Sequence, residues 1–472
     1  MSPDAGKQLY IEHARKVAEE SLVPGAAVGL AKEGLLTFTH GFGFRDMEKQ
    51  FEMTPDTVCG IGSITKSFTC AAIMQLQEAG KLSVHDPVVK YIPEFRLKDS
   101  KNVEKMTLHH FMTHSAGLPP LPSLIPAMKS SLNQDPHAVE TVYGQLNQSI
   151  DHEINSYQQF IDYIANLDFE LLGAPGEQFS YSNDCYALLG LIIERIAGVT
   201  YEDYVTEHLL RPAGMSNSFF QLDKLSEYNQ VTMLYGMSVK DGSKEVYPSP
   251  VWWDAPAMRA AGFMKSTVRD MLKYADIFRT GGLVGKQRVL SEVSVKMMLT
   301  PYMPCEFDQY YGYGFMITPD YHGATLVEHG GSIKGAQAHL SIIPERGLTG
   351  VALTNMQGAP AAALLSSAFN IFEGRNVHAS HMNLPNMQMD ADQLSEYAGK
   401  YGSSEGMEIQ IQLMENKLML FMENQCCPMQ VVEKDLFSFS MRGMDLTMHF
   451  IRNDRNFISR VTFGYRQIAK LL

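Results

Sequence analysis

Apolar positions in the first part of the chain follow both helical and strand periodicity. An apolar stripe at helical spacing predicts a first helix that begins at residues 2–4. Two apolar runs, Ala26–Ala31 and Leu35–Thr39, predict strands that are joined by a tight turn. A further apolar segment of helical character runs from Ser63 to Gly80, where the glycine indicates its end. The pattern therefore predicts a domain that mixes helices with strands.

The middle of the chain contains a long stretch without clear periodicity. Residues 119–160 are polar and carry proline, serine and asparagine at irregular intervals, which we interpret as a lid or insertion lying over a site. Around this stretch the apolar spacing predicts a short helix over Thr107–Leu118, a strongly apolar helix over Tyr186–Ala197 that stops at Gly198, a helix within Gly262–Arg279, short strands over Thr325–Thr354, and a helix over Pro360–Phe372 with the proline at its first position.

The spacing of apolar residues changes after a polar, proline-bearing stretch at Asn376–Asp392. Beyond it, short apolar segments alternate with polar residues and are separated by turn residues. This pattern is typical of a small antiparallel barrel or sandwich. We place the boundary near Pro385, which divides the chain into domains at 1–384 and 385–472.

Composition limits the classes of function. The 472 residues are too many for one ordinary domain, and a hydrophobic fraction of 45% is enough for a large core. The net charge of −13, without a dense cluster of Lys and Arg, does not suit a nucleic-acid-binding protein. We see no secretory signal and no apolar run long enough to span a membrane, so we expect a cytoplasmic protein without a membrane partner.

Cysteine and histidine spacing gives no indication of a metal centre. The six cysteines are scattered and fit reduced, mostly buried thiols. His109, His110 and His114 lie close together but lack a convincing ligand spacing with a nearby carboxylate. We therefore expect neither a metal nor a cofactor.

The strongest candidate chemistry is the pair Ser63 and Lys66. On a helix, a spacing of three residues places the amine one turn from the hydroxyl and on the same face. A serine hydroxyl needs an adjacent base to act as a nucleophile, and a lysine can be that base when burial lowers its pKa. By itself the motif is weak evidence, because a capping serine followed by a solvated lysine gives the same pattern.

Two later groups complete a possible constellation. Tyr181 and Asn183 lie in a loop before the apolar helix; a tyrosine can pass on a proton, and an asparagine amide can bind a substrate amide. A predicted strand carries His329, followed by Gly330 and Gly331, whose lack of side chains allows a substrate backbone to lie close. The backbone N–H of Ser332 could pair with that of Ser63 as an oxyanion hole.

The order S-x-x-K, Y-x-N and H-G-G resembles the serine β-lactamase and penicillin-binding protein superfamily. The similarity is greatest to the class C β-lactamase-like branch, which contains D-Ala-D-Ala carboxypeptidases, D-aminopeptidases and esterases (the peptidase S12-like group). It spans roughly residues 22–372, and the C-terminal strands resemble a lipocalin-like domain. The resemblance implies an α+β fold of the β-lactamase/transpeptidase type, with an antiparallel sheet flanked by helices and an all-helical subdomain, followed by a small all-β barrel. The supporting stretches are GIGSITKSFT, TLHHFMTHSAGLP, GEQFSYSNDCYALLG, AAGFMKSTVRDM and EHGGSIKG.

The resemblance also implies a role for each motif residue. Ser63 would be the acylated nucleophile and Lys66 its base, while Tyr181 would relay a proton to the leaving group and Asn183 would position the acyl side chain. His329 stands where the superfamily has the lysine of Lys-Thr-Gly, followed by glycines and Ser332 that would line the substrate site. A histidine is a weaker anchor for a carboxylate at neutral pH, so we do not expect efficient β-lactam hydrolysis.

Several functions remain open at this point. The first is a serine hydrolase that cleaves a small peptide or amide, possibly with D-amino acids, through an acyl-enzyme. An esterase or acyltransferase would use the same residues, and a penicillin-binding sensor would bind without turnover. An α/β-hydrolase with Ser332 as nucleophile lacks the second glycine of its motif. We expect a small-molecule or short-peptide substrate, and a barrel that either caps the site or forms a homo-oligomer interface.

Overall fold

The computed structural model describes residues 3–98, 102–422 and 425–471. The predicted first helix begins at Pro3, and Ser2 lies outside the described residues. The helices are α1 (Pro3–Glu20), α2 (Thr65–Glu78), α3 (Leu108–Met112), α4 (Leu124–Gln134), α5 (Val142–Asn147), α6 (Tyr157–Asn166), α7 (Asn183–Ala197), α8 (Tyr201–Val205), α9 (Val268–Arg279), α10 (Glu292–Met298), α11 (Ala361–Phe372) and α12 (Ala391–Ser395).

The strands fall into a central sheet, a C-terminal barrel and three short hairpins or bridges. They are β1 (Gly25–Lys32), β2 (Leu35–Asp46), β3 (Phe51–Glu52), β4 (Cys59–Gly60), β5 (Tyr235–Lys240), β6 (Ser243–Pro248), β7 (Lys265–Ser266), β8 (Leu283–Val284), β9 (Gln287–Arg288), β10 (Met303–Glu306), β11 (Gln309–Tyr311), β12 (Met316–Thr318), β13 (Leu326–Ile333), β14 (Ala336–Ile343), β15 (Leu348–Thr354), β16 (Gly399–Gly402), β17 (Glu408–Met414), β18 (Lys417–Met422), β19 (Gln425–Pro428), β20 (Gln430–Glu433), β21 (Leu436–Met441), β22 (Met444–Arg452), β23 (Ile458–Phe463) and β24 (Arg466–Lys470).

The central sheet is antiparallel and is covered on both faces. Its strand order is β10-β11-β12-β13-β14-β15-β1-β2-β3. On one face lie α1 and α11, where the Tyr10 hydroxyl donates a hydrogen bond to the Leu364 carbonyl (3.0 Å). On the other face α9 packs against β1, β14 and β15, and its core continues into α2 and α7. Because both faces are covered, β15 is buried throughout and β1 along nearly its whole length.

A helical subdomain surrounds α2 and α7 beside the sheet. Most of α2 is buried, and so is α7 up to its last turn. Gly80 follows the end of α2 and Gly198 caps α7, both with positive φ, as their predicted stop roles require. This mixture of sheet and helices, followed by a barrel, confirms the predicted fold class.

The segment 119–160 is not an irregular lid. It contains α4, α5 and the start of α6, each preceded by a serine or threonine, and α4 and α6 each bury an apolar face. Asp135, just after α4, pairs with Lys334 and accepts a hydrogen bond from Trp253 Nε1 (2.8 Å). The helices were missed because they are short and their polar faces dominate the composition. The segment is therefore packed against the turn that follows β13.

Three helix boundaries also differ from the prediction. The helix predicted over Thr107–Leu118 stops at Met112, because the chain turns sharply at His114, whose φ is positive. The helix predicted over Tyr186–Ala197 begins already at Asn183, after Ser182 caps it, whereas the helix predicted within Gly262–Arg279 is present at Val268–Arg279. Pro360 is the residue before α11 rather than its first residue.

The C-terminal strands form a nearly closed antiparallel barrel with the order β19-β18-β17-β16-β24-β23-β22-β21-β20. The β17–β18 hairpin turns at Glu415 and Asn416, both with positive φ, as a tight hairpin of this type needs. The barrel has its own hydrophobic core, which fits the predicted lipocalin-like domain. Residues 373–390 connect it to α11 without a helix or strand of their own. The boundary at Pro385 stays a prediction.

The barrel is joined to the first part of the chain at two turns. At the β23–β24 turn, the Tyr465 carbonyl accepts a hydrogen bond from the Tyr181 backbone N–H (2.9 Å). At the β16–β17 turn, the Ser404 hydroxyl donates to the Pro120 carbonyl (2.6 Å). The β23–β24 turn therefore lies against the loop that carries the Tyr-Ser-Asn motif. The β16–β17 turn lies against the start of the 119–160 segment. Across the described ranges, no helix has the length and apolar character needed to cross a membrane.

Candidate active site

Ser63 and Lys66 are brought together at the start of α2. Ser63 lies in a 3₁₀ turn, Gly62–Ile64, that leads directly into the helix. Its Oγ is 3.2 Å from Lys66 Nζ, and the serine is half-buried while the lysine is fully buried. Gly62 has a φ of +50°, and a Cβ there would lie 2.6 Å from the Ser332 nitrogen. The glycine thus allows β13 to approach the serine turn closely.

The Lys66 amine has two further partners, both of them acceptors. It donates to Asn183 Oδ1 (2.8 Å) and to the Ala261 carbonyl (2.6 Å). Burial lowers the pKa of Lys66 well below its usual value, and Arg466 lowers it further, whereas Glu405 and Asp184 act in the opposite direction. The site therefore favours a neutral amine beside the serine hydroxyl.

Asn183 and Tyr181 lie at the start of α7. Ser182 caps the helix by accepting a hydrogen bond from the Cys185 N–H (3.2 Å), so Asn183 occupies the first helical position. The Ser182 N–H in turn donates to His114 Nδ1 (3.0 Å). Burial lowers the pKa of His114 well below its usual value, so the ring is a neutral acceptor that holds this loop in place.

The Tyr181 hydroxyl is buried, and none of the described residues forms a well-formed hydrogen bond with it. The tyrosine ring contacts two basic side chains: Lys66 Nζ is 4.6 Å and Arg466 Cζ is 4.9 Å from its centroid. Burial raises the pKa of Tyr181, and the nearby Ser63 hydroxyl and Arg466 partly oppose this rise. Tyr181 thus lies beside both Ser63 and Lys66, with its hydroxyl shielded from solvent.

His329 is buried in β13, and both ring nitrogens are engaged by the protein. Nδ1 is 2.6 Å from the Gly330 carbonyl, which can only accept, so Nδ1 carries the proton. Nε2 then accepts from the Tyr311 hydroxyl (3.0 Å). Burial, with Lys66 nearby, lowers the pKa of His329 to about 3. The histidine is therefore neutral, and these contacts do not direct its nitrogens to Ser63.

Gly331 and Ser332 complete the close approach between β13 and the serine turn. A Cβ on Gly331 would overlap the Ile61 carbonyl oxygen and would lie 3.3 Å from the Ser63 nitrogen. The backbones of β13 and the serine turn are thus in contact next to the Ser63 and Ser332 nitrogens. That these two N–H groups form an oxyanion hole stays a prediction.

Two site residues come from the barrel and were missed by the sequence reasoning. Arg466, the first residue of β24, forms an ion pair with Glu405 of the β16–β17 turn. Glu405 Oε1 is also 3.5 Å from Asn183 Nδ2. Nothing in the local sequence marks these residues, although the hairpin turn at Gly464 and Tyr465 could have been recognised. Where such a turn points is decided by the packing of the two domains.

The three clustered histidines have separate partners. His109 Nδ1 lies 2.7 Å from the Tyr313 hydroxyl, and His110 Nδ1 lies 3.1 Å from the Thr107 hydroxyl, while His114 binds the Ser182 N–H. Among the described residues there is no group of His, Cys, Asp and Glu arranged to hold a metal ion.

A comparison with known protein families identifies the family of this chain. The family model for beta-lactamase matches residues 12–368, which is most of the chain. The chain belongs to the beta-lactamase family. The matched range contains every motif residue named above but ends before the barrel, so Glu405 and Arg466 lie outside it. The family relationship supports a serine hydrolase.

Individual relatives agree with this assignment. Protein flp of Staphylococcus aureus (strain MW2) is 27% identical over 275 residues, which cover 57% of this chain and 48% of that protein. The match thus spans about half the length of that curated relative. The octameric penicillin-binding protein homologue from Pyrococcus abyssi has a TM-score of 0.69 and 26% identity, with 100% of both chains covered. D-amino acid amidase from Ochrobactrum anthropi SV3 shares the fold, with a TM-score of 0.57 and 20% identity over 74% of this chain and 92% of that one.

Proposed function

We propose that the protein is a serine hydrolase that forms an acyl-enzyme on Ser63 and cleaves a small peptide or amide substrate. The observation that carries the proposal is the hydrogen bonding of the buried Lys66 amine. A neutral amine has two N–H donors and one lone pair. Asn183 Oδ1 and the Ala261 carbonyl take up the two donors, which leaves the lone pair free to accept the Ser63 proton across 3.2 Å.

Acylation then follows from the positions of the groups. Ser63 Oγ attacks the substrate carbonyl carbon while its proton passes to Lys66 Nζ, and the negative charge that forms on the carbonyl oxygen is stabilised by the N–H groups of Ser63 and Ser332. Tyr181 donates its proton to the leaving nitrogen and recovers one from the Lys66 ammonium, so the free amine departs neutral. Water then attacks the ester carbonyl carbon and gives a proton to Lys66 Nζ, which passes a proton to Ser63 Oγ as the ester C–O bond breaks, so the acid is released and Ser63 is restored.

The substrate class is proposed from the surroundings of β13 and from the fold neighbours. His329 is neutral and engaged by Tyr311 and Gly330, so it does not supply the cationic anchor for a carboxylate that the superfamily lysine provides. We therefore propose a small amide rather than a β-lactam. The same fold in D-amino acid amidase supports an amide of a D-amino acid as the first substrate to test.

We also propose that the protein assembles as a homo-oligomer. The Pyrococcus abyssi homologue, which is octameric, is covered over 100% of its length by this chain. Size-exclusion chromatography with light scattering tests this proposal, and a monomeric mass would contradict it.

The nucleophile and its base are tested by covalent labelling. The protein is incubated with a neutral fluorophosphonate, and any adduct is located by intact mass and peptide mapping. We expect one adduct, on Ser63, that is absent in Ser63→Ala and formed much more slowly in Lys66→Met. An adduct on Ser332, or undiminished labelling of Lys66→Met, would contradict the proposal.

A panel of D- and L-amino acid amides and the corresponding esters then defines the substrate. The proposal expects turnover of amides with a preference for the D-configuration, and release of one acid for each amide cleaved. Turnover confined to esters, or acyl transfer to an added amine in place of hydrolysis, would replace the amidase assignment with an esterase or acyltransferase.

A further inference from the structure

The barrel contributes an ion pair to the network that holds the proposed base. Arg466 Cζ lies 4.9 Å from the centre of the Tyr181 ring, and Lys66 Nζ lies 4.6 Å from the same ring centre. Glu405, which pairs with Arg466, is also 3.5 Å from the Asn183 amide. Asn183 in turn accepts a hydrogen bond from Lys66. Each charge of the barrel pair thus lies one side chain away from the Lys66 amine.

The pair is rigidly held and poorly hydrated. The Arg466 side chain is 17% exposed and that of Glu405 is 9% exposed. Arg466 also donates from Nη1 to the Gly464 carbonyl (3.0 Å) within its own turn. The turn itself is fixed to the Tyr181 backbone through the Tyr465 carbonyl. Charges with so little solvent around them act on their neighbours more strongly than charges on the surface do.

We propose that Arg466 and Glu405 are positioning residues that set the protonation of the Lys66–Tyr181 pair from the neighbouring domain, Arg466 favouring the neutral amine and Glu405 opposing it. The inference rests on the proposed role of Lys66 as a base. It also gives the barrel a role that differs from a simple cap. The chemistry would come from the first domain and part of its electrostatic tuning from the second.

The electrostatics agree with the geometry. Burial is the main reason why the pKa of Lys66 is low; Arg466 lowers it further and Glu405 raises it. Arg466 also lowers the pKa of Tyr181. The other titratable groups facing Lys66 are Asp184, Cys70, His114, His329, Tyr181 and Tyr186. These groups are present in every barrel variant, so a difference between variants reports on the barrel pair.

The test is the pH dependence of Ser63 modification by a neutral fluorophosphonate, measured in the full-length protein. A neutral probe has no carboxylate or ammonium group, so an effect of Arg466 on its rate does not come from pairing with the probe's charge. The rate is expected to rise with pH as Lys66 loses its proton. The variants are Arg466→Gln, Arg466→Lys and Glu405→Gln, whose glutamine can still accept a hydrogen bond from Arg466.

Opposite shifts are the expected result. Arg466→Gln removes a cation and should move the rising limb of the profile to higher pH by about 1 unit, whereas Glu405→Gln removes an anion and should move it lower by a similar amount. Arg466→Lys keeps the charge and should stay near the wild-type profile. The matched control is Arg452→Gln, because Arg452 also pairs with a carboxylate, Asp435, and contacts a tyrosine ring, Tyr397, but within the barrel. It should leave the profile unchanged.

Three results would overturn the inference. If Arg466→Gln and Glu405→Gln shifted the profile in the same direction, or lowered the rate without moving it, the pair would be structural. The same conclusion would follow if Arg466→Lys, which retains the charge, behaved like Arg466→Gln. A wild-type protein that is not modified on Ser63 at any pH would instead refute the proposed function, and the inference would fall with it.

Discussion

The two sides of the candidate site are built in different ways. On the α2 side, Ser63 and Lys66 lie one helical turn apart, and the buried helix fixes their separation. On the barrel side, Glu405 lies in the β16–β17 turn and Arg466 begins β24, and both reach the site only because the folded barrel packs against the first part of the chain. Local spacing therefore defines the proposed catalytic pair, whereas domain packing defines the groups around it.

The two sides should therefore differ in what a substitution changes, which is the reaction itself on the α2 side and its pH dependence on the barrel side. The α2 side holds the proposed nucleophile and its proposed base within hydrogen-bonding distance, so substitutions there should abolish the reaction. The barrel side contacts Tyr181 and Asn183, which in turn contact Lys66. Substitutions there should therefore change the pH dependence of the reaction or the stability of the interface, and should lower the reaction rate only by modest factors. Four experiments test this difference between the two sides, beginning with the largest expected effect.

The largest effect is expected on the α2 side. Ser63→Ala removes the nucleophile and Lys66→Met removes the base, so each should lower amide turnover by at least about 10³-fold. Initial rates with a D-amino acid amide measure the loss. Ser130→Ala, which changes an exposed serine of α4, serves as the matched control and should keep the wild-type rate. Near-normal turnover in Ser63→Ala would show that the chemistry lies elsewhere.

Tyr181→Phe tests whether the buried Tyr181 hydroxyl, which lies near Ser63, protonates the leaving group. An amide needs a proton on its leaving nitrogen, so the variant should lose about 10²-fold in amide turnover. A p-nitrophenyl ester has a leaving group that departs without a proton and should lose much less. The ratio of the two losses is the measurement. Equal losses for both substrates would assign Tyr181 a structural role.

Glu306→Gln tests the contact between the sheet and the barrel. Glu306 at the end of β10 accepts a hydrogen bond from Thr447 of β22 (2.8 Å), and burial raises its pKa to about 8. The folded protein thus keeps a proton that the unfolded chain loses near pH 4.5, so this group costs stability as pH rises toward 8.

The expected result is a pH-dependent difference between the two proteins. Between about pH 5 and pH 8, wild type should lose on the order of 1–2 kcal/mol more in its free energy of unfolding than Glu306→Gln. Urea unfolding at both pH values measures this difference. Parallel losses in the two proteins would mean that Glu306 is already ionised in the folded state.

The smallest effect is expected from Gln467→Ala. The Gln467 side chain donates to the Phe179 carbonyl (3.1 Å) and to Gln178 Oε1 (2.9 Å), and so ties the barrel to the loop before Tyr181. Its removal should cost about 1 kcal/mol of stability and lower kcat by less than about tenfold. Thermal unfolding and amide kinetics measure both. The control is Gln430→Ala, which changes an exposed glutamine of β20. If both variants had the same stability and kcat, the Gln467 contacts would not support the site.

Motif order and hydrophobic periodicity predict much of the first domain. Ser63, Lys66, Tyr181 and Asn183 meet as expected, because each lies at the start of a buried apolar helix whose position the pattern marks. The β13 strand with its glycines also reaches the serine turn as predicted. In these cases short-range rules, such as helical spacing and capping, decide the structure.

What the sequence could not show depends on packing between distant segments. The helices within 119–160 have polar faces that obscure their apolar stripe, and their burial depends on contacts such as that between Asp135 and Lys334. The sequence around His329 does not indicate a partner for its ring, yet in the structure its Nε2 accepts a hydrogen bond from the Tyr311 hydroxyl of β11. Glu405 and Arg466 lie in a predicted separate barrel, and no local pattern tells which way its turns point.

The most direct test of the central claim is to trap the acyl-enzyme itself. A D-amino acid amide is mixed with the full-length protein, the reaction is quenched in acid within the first turnover, and the intact mass is measured before peptide mapping. We predict a mass increase equal to the acyl group, located on Ser63 and absent in Lys66→Met. Turnover of the amide with no covalent adduct on Ser63 at any quench time, and unchanged turnover in Ser63→Ala, would contradict the account.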